Sequence, residues 1–248
     1  MTTNGTLLSG VAEGIVDSGL DWLGISLDGP EAVHDRVRGV PGTFRKAIEG
    51  AHALQEVKRT SGRAVPEVTV IFTLAGDNYR YAEEMIGIAT DIGATCVTFS
   101  NLFFWTEDMV QAHNALYGDE IPCYVANTAA LDGLDPQQAY AKLEHIAQQR
   151  WPVAVTLYPV LTCEEMVTYY KEPTRFVKTN HCIRPWLSCL LLPNGDVIPC
   201  LDYVVGNVKV QSFSEIWNGE RFRHFRRLLR KHGTLPGCAR CCGLFEYQ

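Results

Sequence analysis

No apolar run in this chain of 248 residues approaches the roughly 18 residues that a membrane-spanning helix needs, which argues against a helical membrane protein. Positive charge is not in excess. With 22 lysines and arginines against 28 aspartates and glutamates, the net charge is −6, so the chain offers no overall footprint for nucleic acid or an anionic membrane. The opening MTTNGTLLSG has no basic segment followed by a long apolar stretch, so a cytoplasmic protein without a signal peptide is expected. Internal repeats and low-complexity segments are lacking as well. Apolar side chains are plentiful, at 46% of residues, enough for one large domain or two ordinary ones.

Cysteine is also plentiful. Nine are present, an odd number in a chain far too long to need covalent staples, so a disulfide framework fits poorly. Six of them lie towards the C-terminus: Cys182, Cys189, Cys200, Cys238, Cys241 and Cys242. Two flank a turn in CLLLPNGDVIPC and the last three sit in CARCC. Thiolates gathered from distant segments point to a metal site, because soft sulfur ligands select iron–sulfur clusters or zinc. Zinc sites favour short CxxC pairs, and only Cys238 and Cys241 form one, which tilts the reading towards iron and sulfur. Cys96, Cys123 and Cys163 are isolated and read as buried thiols.

The first two-thirds of the chain alternates helical patterns with short apolar runs. LLSGVAEGIVDSG reads as a helix ended by Gly19, DWLGISLDG as a strand entering a Gly-Pro turn, and TFRKAIEGAHALQEVKRTSG as a helix closed by Gly62. EVTVIFTLAG is a strand whose run VTVIFTL suits burial on both faces, DNYRYAEEMIGIATDIG a helix stopped by Gly93, and TCVTFSNLFFW another strand. An irregular region over 106–135 precedes a helix with Asp135 as N-cap and Pro136 in its first turn. VAVTLYP is a further strand and CEEMVTYYKE a short helix. This β-α-β order implies parallel strands with right-handed crossovers. A boundary is expected near 173–181. Beyond it, WLSCLLLPNGDVIPC reads as a hairpin with Asn194 and Gly195 supplying positive-φ residues. SFSEIWNGERFRHFRRLLRK reads as a helix broken near Asn218-Gly219. Its stripe Phe222, Phe225, Leu228 and Leu229 is expected on the core with the arginines solvated, a reading that competes with an RNA- or anion-binding patch.

Three segments together resemble the radical S-adenosylmethionine (radical SAM) enzymes that carry a C-terminal SPASM or twitch extension. They are TTNGTLL, SLDGPEAVHDRVRGVPGTFRKAIEG at 26–50, and CIRPWLSCLLLPNGDVIPC followed by GNVKVQSFSEIWNGERF and CARC. The resemblance implies an α/β fold: the C-terminal part of a partial (β/α)6 radical SAM barrel over 1–175, with a small hairpin-plus-helix SPASM/twitch domain over 176–248. It implies that ligands bind at the C-terminal ends of the strands, where parallel sheets generally place them. Ser26 would contact S-adenosylmethionine, Arg38 would pair with its carboxylate, and Asp28 belongs to the same motif. Leu102 would pack on adenine, and Thr2 and Asn4 would face the cavity. The residues themselves leave other roles open: a turn-capping role for Ser26 and Asp28, a surface ion pair for Arg38, and core packing for Leu102. In the twitch form, Cys182, Cys200, Cys238 and Cys241 would bind one auxiliary 4Fe-4S cluster; Cys189 reads as a packed thiol, with a ligand role as the alternative, and Cys242 as pointing away, with substitution for Cys241 as the alternative. The cluster would replace an apolar core too small to hold strand and tail together.

The CxxxCxxC loop that holds the S-adenosylmethionine-cleaving 4Fe-4S cluster of this family occurs nowhere in the 248 residues, nor does the glycine-rich second-strand motif. The expected enzyme is an oxidoreductase or peptide- or metabolite-modifying enzyme that uses a 5′-deoxyadenosyl radical. It would act on a small molecule or peptide, with an electron donor such as flavodoxin or ferredoxin, and without nucleic acid or membrane. The second cluster would lie on an N-terminal part not in this sequence, so the chain alone is expected to be an inactive fragment. The rival reading is a non-catalytic scaffold stabilised by zinc or a cluster. No general base stands out; Glu107, Asp108 and His113 are candidates, but a solvated loop is the better reading for all three.

Overall fold

The computed structural model describes residues 1–178, 181–200 and 202–245. Five parallel strands form a sheet in sequential order: β1 (Thr2–Thr3), β2 (Trp22–Ser26), β3 (Glu67–Thr73), β4 (Cys96–Ser100) and β5 (Ala154–Tyr158). Helices occupy the crossovers: α1 (Ala12–Asp17), α2 (Glu31–Arg38), α3 (Thr43–Ser61), α4 (Glu84–Asp91), α5 (Glu107–Tyr117) and α6 (Pro136–Gln148). Each strand pairs with its neighbour in sequence, which is the order of an arc of a β/α barrel and not of a doubly wound sheet. After β5 come α7 (Cys163–Lys171), β6 (Leu190–Leu191), β7 (Asp196–Ile198), β8 (Gly206–Asn207), α8 (Phe213–Trp217) and α9 (Glu220–His232). The strands β6 to β8 make a small antiparallel sheet.

The packing forms two compact units, Met1–Leu102 with Ala129–Met166, and Phe103–Thr128 with Val167–Gln248. A single boundary near 173–181 does not describe this division. The excursion 103–128 and the end of α7 bond to the C-terminal segment, as detailed below.

The two faces of the parallel sheet differ. On one face Leu23, Ile25, Val68, Val70, Phe72, Val97 and Phe99 are buried. On the other, Trp22, Gly24 and Ser26 of β2 lie in register with Glu67, Thr69 and Ile71 of β3, which continues to Thr73, and β4 and β5 add Cys96, Thr98, Ser100 and Thr156. The run VTVIFTL is therefore not covered equally on both faces. Its threonines alternate with buried apolar residues and, except for Thr69 beneath the Trp22 indole, are half-buried. Cys96 belongs to this polar face, with Thr156 3.8 Å from its sulfur.

Local signals set several boundaries as expected. The Asp135 carboxylate accepts from the Gln137 and Gln138 amides at 3.0 and 3.1 Å and starts α6 at Pro136. A capping box between Ser212 and Glu215 starts α8, and the helix breaks before α9 at Asn218-Gly219. Elsewhere the structure differs. The strand β4 ends at Ser100, and Trp105 instead bridges to Ala126. The segment 106–135 contains α5, so Glu107 and Asp108 are first-turn helix residues and not loop. The turn of the C-terminal hairpin places only Gly195 at positive φ, 92°, because a three-residue connection needs one left-handed residue where a two-residue turn needs two.

Candidate functional site

The motif SLDGPEAVHDRVR builds a polar knot at the C-terminal end of β2. Asp28 is 2% exposed. One carboxylate oxygen accepts the Thr73 backbone N–H at 3.2 Å and the other lies 2.7 Å from Arg38 Nε. The Asn78 side-chain amide donates to the carbonyls of Asp28 and Thr73, at 3.1 and 2.8 Å, tying the ends of β2 and β3 together. The Asp28 backbone N–H donates to His34 Nδ1 at 3.1 Å, which places the ring proton on Nε2; burial holds this histidine below its ordinary pKa. Asp35 accepts from the Gly42 and Phe44 amides and from the Thr43 hydroxyl, so it caps α3 from outside; these bonds lower its pKa. Gly29, at φ 154°, has no room for a side chain, since a Cβ would lie 2.5 Å from Val33 Cγ1.

Asp28 and Arg38 are thus brought together, and Ser26 is the last residue of β2, two positions before Asp28. Asp28 acts as a latch between strands and not as a turn cap. Arg38 is held by Asp28 through Nε, its two Nη groups bond no described residue, and its side chain is 34% exposed. The half-buried Ser26 hydroxyl likewise bonds no described residue. Leu102 is buried just beyond β4, on the same strand-end edge with β3 intervening. Thr2 and Asn4 are exposed. The Asn4 side chain accepts from the Thr6 amide and hydroxyl, at 3.1 and 3.0 Å, and so closes a local turn.

The cysteine site lies in the second unit. Cys238 is 5% exposed, and Cys182, Cys189 and Cys200 pack against its cluster of core residues. Cys200, Cys238 and Cys241 line a half-open chamber of about 310 Å³ with Phe103, Trp105 and Arg184. Burial pushes the Cys238 thiol up to about 12, and the nearby Cys241 and Cys182 push in the same direction. The eight described cysteines are free of disulfides; the side chain of Cys242 lies outside the described residues. Among the described residues no three Cys, His, Asp or Glu side chains stand as a ready single-ion site. Cys189 is half-buried, and its thiol is raised by burial, opposed by the charge of Arg226. Arg226 is itself no solvated residue. It lies over the Phe222 ring at 3.9 Å and the Trp217 ring at 4.5 Å, and donates to the Pro185 and Trp217 carbonyls.

Residues without a sequence signal hold the CARC turn. The Gly237 peptide is clamped on both sides, donating to His113 Nδ1 at 3.1 Å and accepting from Trp105 Nε1 at 2.8 Å. His113 is fully buried and donates through Nε2 to the Ile121 carbonyl at 2.7 Å, so it is a neutral strut and not a candidate base. Arg240, between the two cysteines, is completely buried. Its guanidinium donates to the carbonyls of Thr168, Glu172, Arg175 and Ala239 and faces the Tyr169 ring at 4.9 Å. Burial lowers its pKa to about 10, which leaves it charged at neutral pH. A cationic donor suits the Thr168 and Glu172 carbonyls because they lie at the end of α7.

His34 and His113 share a pH signature. Burial holds both below the ordinary 6.5, so near that pH the unfolded chain binds more protons than the folded one. Their contribution to stability is complete above about pH 6.5 and is lost as pH falls through and below it. The urea midpoint is expected to decline between pH 7 and 5, and His113→Gln to flatten that decline. A variant profile parallel to the wild type would remove His113 from the account.

Residues 182–242 match the SPASM family, described as an iron–sulfur cluster-binding domain. The AdoMet-dependent heme synthase of Oleidesulfovibrio alaskensis is 26% identical over 100% of this chain and 60% of its own length. That of Methanosarcina barkeri is 27% identical over 100% of this chain and 66% of its own. The chain therefore spans less than two-thirds of the length of these relatives. Among solved structures, SuiB of Streptococcus suis bound to S-adenosylmethionine aligns with a TM-score of 0.58 at 14% identity, over 91% of this chain and 49% of SuiB. The fold is that of the radical SAM enzymes. Residues 182–242 add to that fold a segment that matches an iron–sulfur cluster-binding domain.

Proposed function

We propose that Cys182, Cys200, Cys238 and Cys241 hold one auxiliary 4Fe-4S cluster, and that the whole protein performs radical SAM chemistry on a small molecule of the tetrapyrrole class. The observation that carries the first part is the chamber onto which Cys200, Cys238 and Cys241 open. A single zinc ion, with Zn–S near 2.3 Å, needs its sulfurs within about 4 Å of one another. A four-iron cluster takes each thiolate on a different iron and needs them spread around a volume. Thiols around a chamber, with no compact single-ion group among the described residues, favour the cluster over the zinc scaffold. When bound, such a cluster accepts or passes on single electrons. Anaerobic reconstitution of the 248-residue chain with iron and sulfide is expected to give a brown protein with about four irons, not eight. A colourless zinc protein would overturn the reading. Without a CxxxCxxC loop the chain alone is expected to release no 5′-deoxyadenosine with dithionite.

The unpaired Ser26 hydroxyl and Arg38 Nη groups support S-adenosylmethionine contact at the end of β2, with Asp28 holding the guanidinium in place and Leu102 offering an apolar wall at the same edge. In protein carrying both clusters, Ser26→Ala is expected to weaken S-adenosylmethionine binding roughly tenfold, the worth of one hydrogen bond. Iron content should stay constant, and unchanged affinity would exclude Ser26. The tetrapyrrole class is favoured because the heme synthases align over the whole chain. A peptide is the second reading, since SuiB is also known bound to its precursor peptide SuiA. A flavodoxin- or ferredoxin-type protein is the proposed electron donor.

A further inference from the structure

We propose that Arg184 is the cationic partner of the cysteine-bound cluster and raises its reduction potential. This rests on the reading of the four cysteines as a cluster site and deepens it. Arg184 stands two residues after Cys182, in the short helical turn Arg184–Trp186. It lines the chamber together with Cys200, Cys238 and Cys241. Gly243 shows how closely the charge and the sulfur approach. A Cβ at that position would meet Arg184 Cδ at 3.0 Å, Arg184 Nη1 at 3.2 Å and Cys241 Sγ at 3.4 Å. The guanidinium and the Cys241 thiol therefore border one small space, which a Cβ at position 243 would crowd.

Among the described residues the rest of the wall is largely apolar, with Phe103, Trp105, Leu190, Ile198 and Pro199, and Asp202 adds a carboxylate. A charge acts more strongly across such a wall than through water. Net charge and hydrogen bonds to the sulfurs set iron–sulfur potentials. A cluster with four thiolates becomes more negative on reduction, so a guanidinium fixed beside one of them stabilises the reduced form more than the oxidised form. Arginine suits the position because it stays charged when desolvated and donates in a rigid fork. The carboxylate of Asp202 acts with the opposite sign.

The test is a redox titration of the reconstituted 248-residue chain, followed by EPR, with iron counted in each sample. Wild-type chain that binds no iron defeats the cluster reading itself, before any variant is read. With iron bound, Arg184→Gln is expected to keep its iron and to lower the reduction equilibrium constant about tenfold, about 59 mV for one electron. Arg184→Lys should recover part of that shift, and Asp202→Asn should move the midpoint upwards. Gly243→Ala keeps the charge but pushes it from Cys241, and should shift the midpoint in the same direction as Arg184→Gln. An Arg184→Gln midpoint equal to or above the wild type, with iron retained, overturns the proposal. If Arg184→Gln loses iron, Gly243→Ala decides alone, and an unchanged midpoint there overturns it.

Discussion

Arg240→Leu is expected to destabilise the C-terminal unit by about 2–4 kcal/mol, more than other single replacements outside the cysteines. The leucine removes a buried charge, and that relief offsets part of the cost. It also takes the guanidinium away from the carbonyls of Arg175 and Ala239, while those of Thr168 and Glu172 each lose one donor but keep a backbone N–H, from Glu172 and Arg175. Each unmet buried acceptor costs about 1–3 kcal/mol, although water reaches those nearest the surface. The loss of stacking on Tyr169 and Phe104 adds to this. Arg240→Lys should fall between wild type and leucine, since an ammonium keeps the charge but cannot fork to carbonyls on two sides. The measurement is the urea midpoint of reduced, iron-free protein, which separates folding from cluster binding. A leucine variant within about 0.5 kcal/mol of the wild type would show that these bonds contribute no net stability.

What the sequence made legible was local. Asp135-Pro136, Ser212 with Glu215, and the break at Asn218-Gly219 act on their own immediate backbone, and each sits where a capping rule places it. The parallel order of β2 to β5 follows from the alternation of apolar runs and helices. The polar face of the sheet was present as threonines at every second position, but Ile71, which shares that face, disguised the period of two in VTVIFTL. Distant contacts were not legible. The bonds that clamp Gly237 join residues 124 and 132 positions apart. Arg240 is buried because the carbonyls at the end of α7, some 68 to 72 positions earlier, face it. The helix α5 has only Met109 and His113 buried, too thin a stripe to announce itself, and it packs where the Gly237 turn meets it. The candidate ligands were recognisable as cysteines; the residues that orient them carry no spacing rule.

Cys238→Ser is expected to reduce bound iron from about four per chain to below one, while Cys189→Ser in the same core keeps it. The contrast follows from the electrostatics of the two thiols. Cys238 is 5% exposed, and burial with Cys241 and Cys182 nearby pushes its thiol up to about 12, so in metal-free protein it is protonated at any physiological pH. Only a cation at the sulfur makes the buried thiolate tolerable, which couples its deprotonation to metal binding. Serine at this place is a harder ligand with a far higher pKa, and it leaves a hydroxyl in an apolar pocket in need of a partner. Cys189 is raised by burial too, but the charge acting on it is that of Arg226, which opposes the shift, whereas Cys238 feels the thiols of Cys241 and Cys182. The same coupling gives a pH dependence. Binding releases thiol protons, so iron retention should weaken as pH falls, and in wild type this should precede loss of the fold. Iron and absorbance measured on anaerobically reconstituted variants decide between the two cysteines. Retention of about four irons by Cys238→Ser would remove it from the ligand set, and loss of iron by Cys189→Ser would place Cys189 within it.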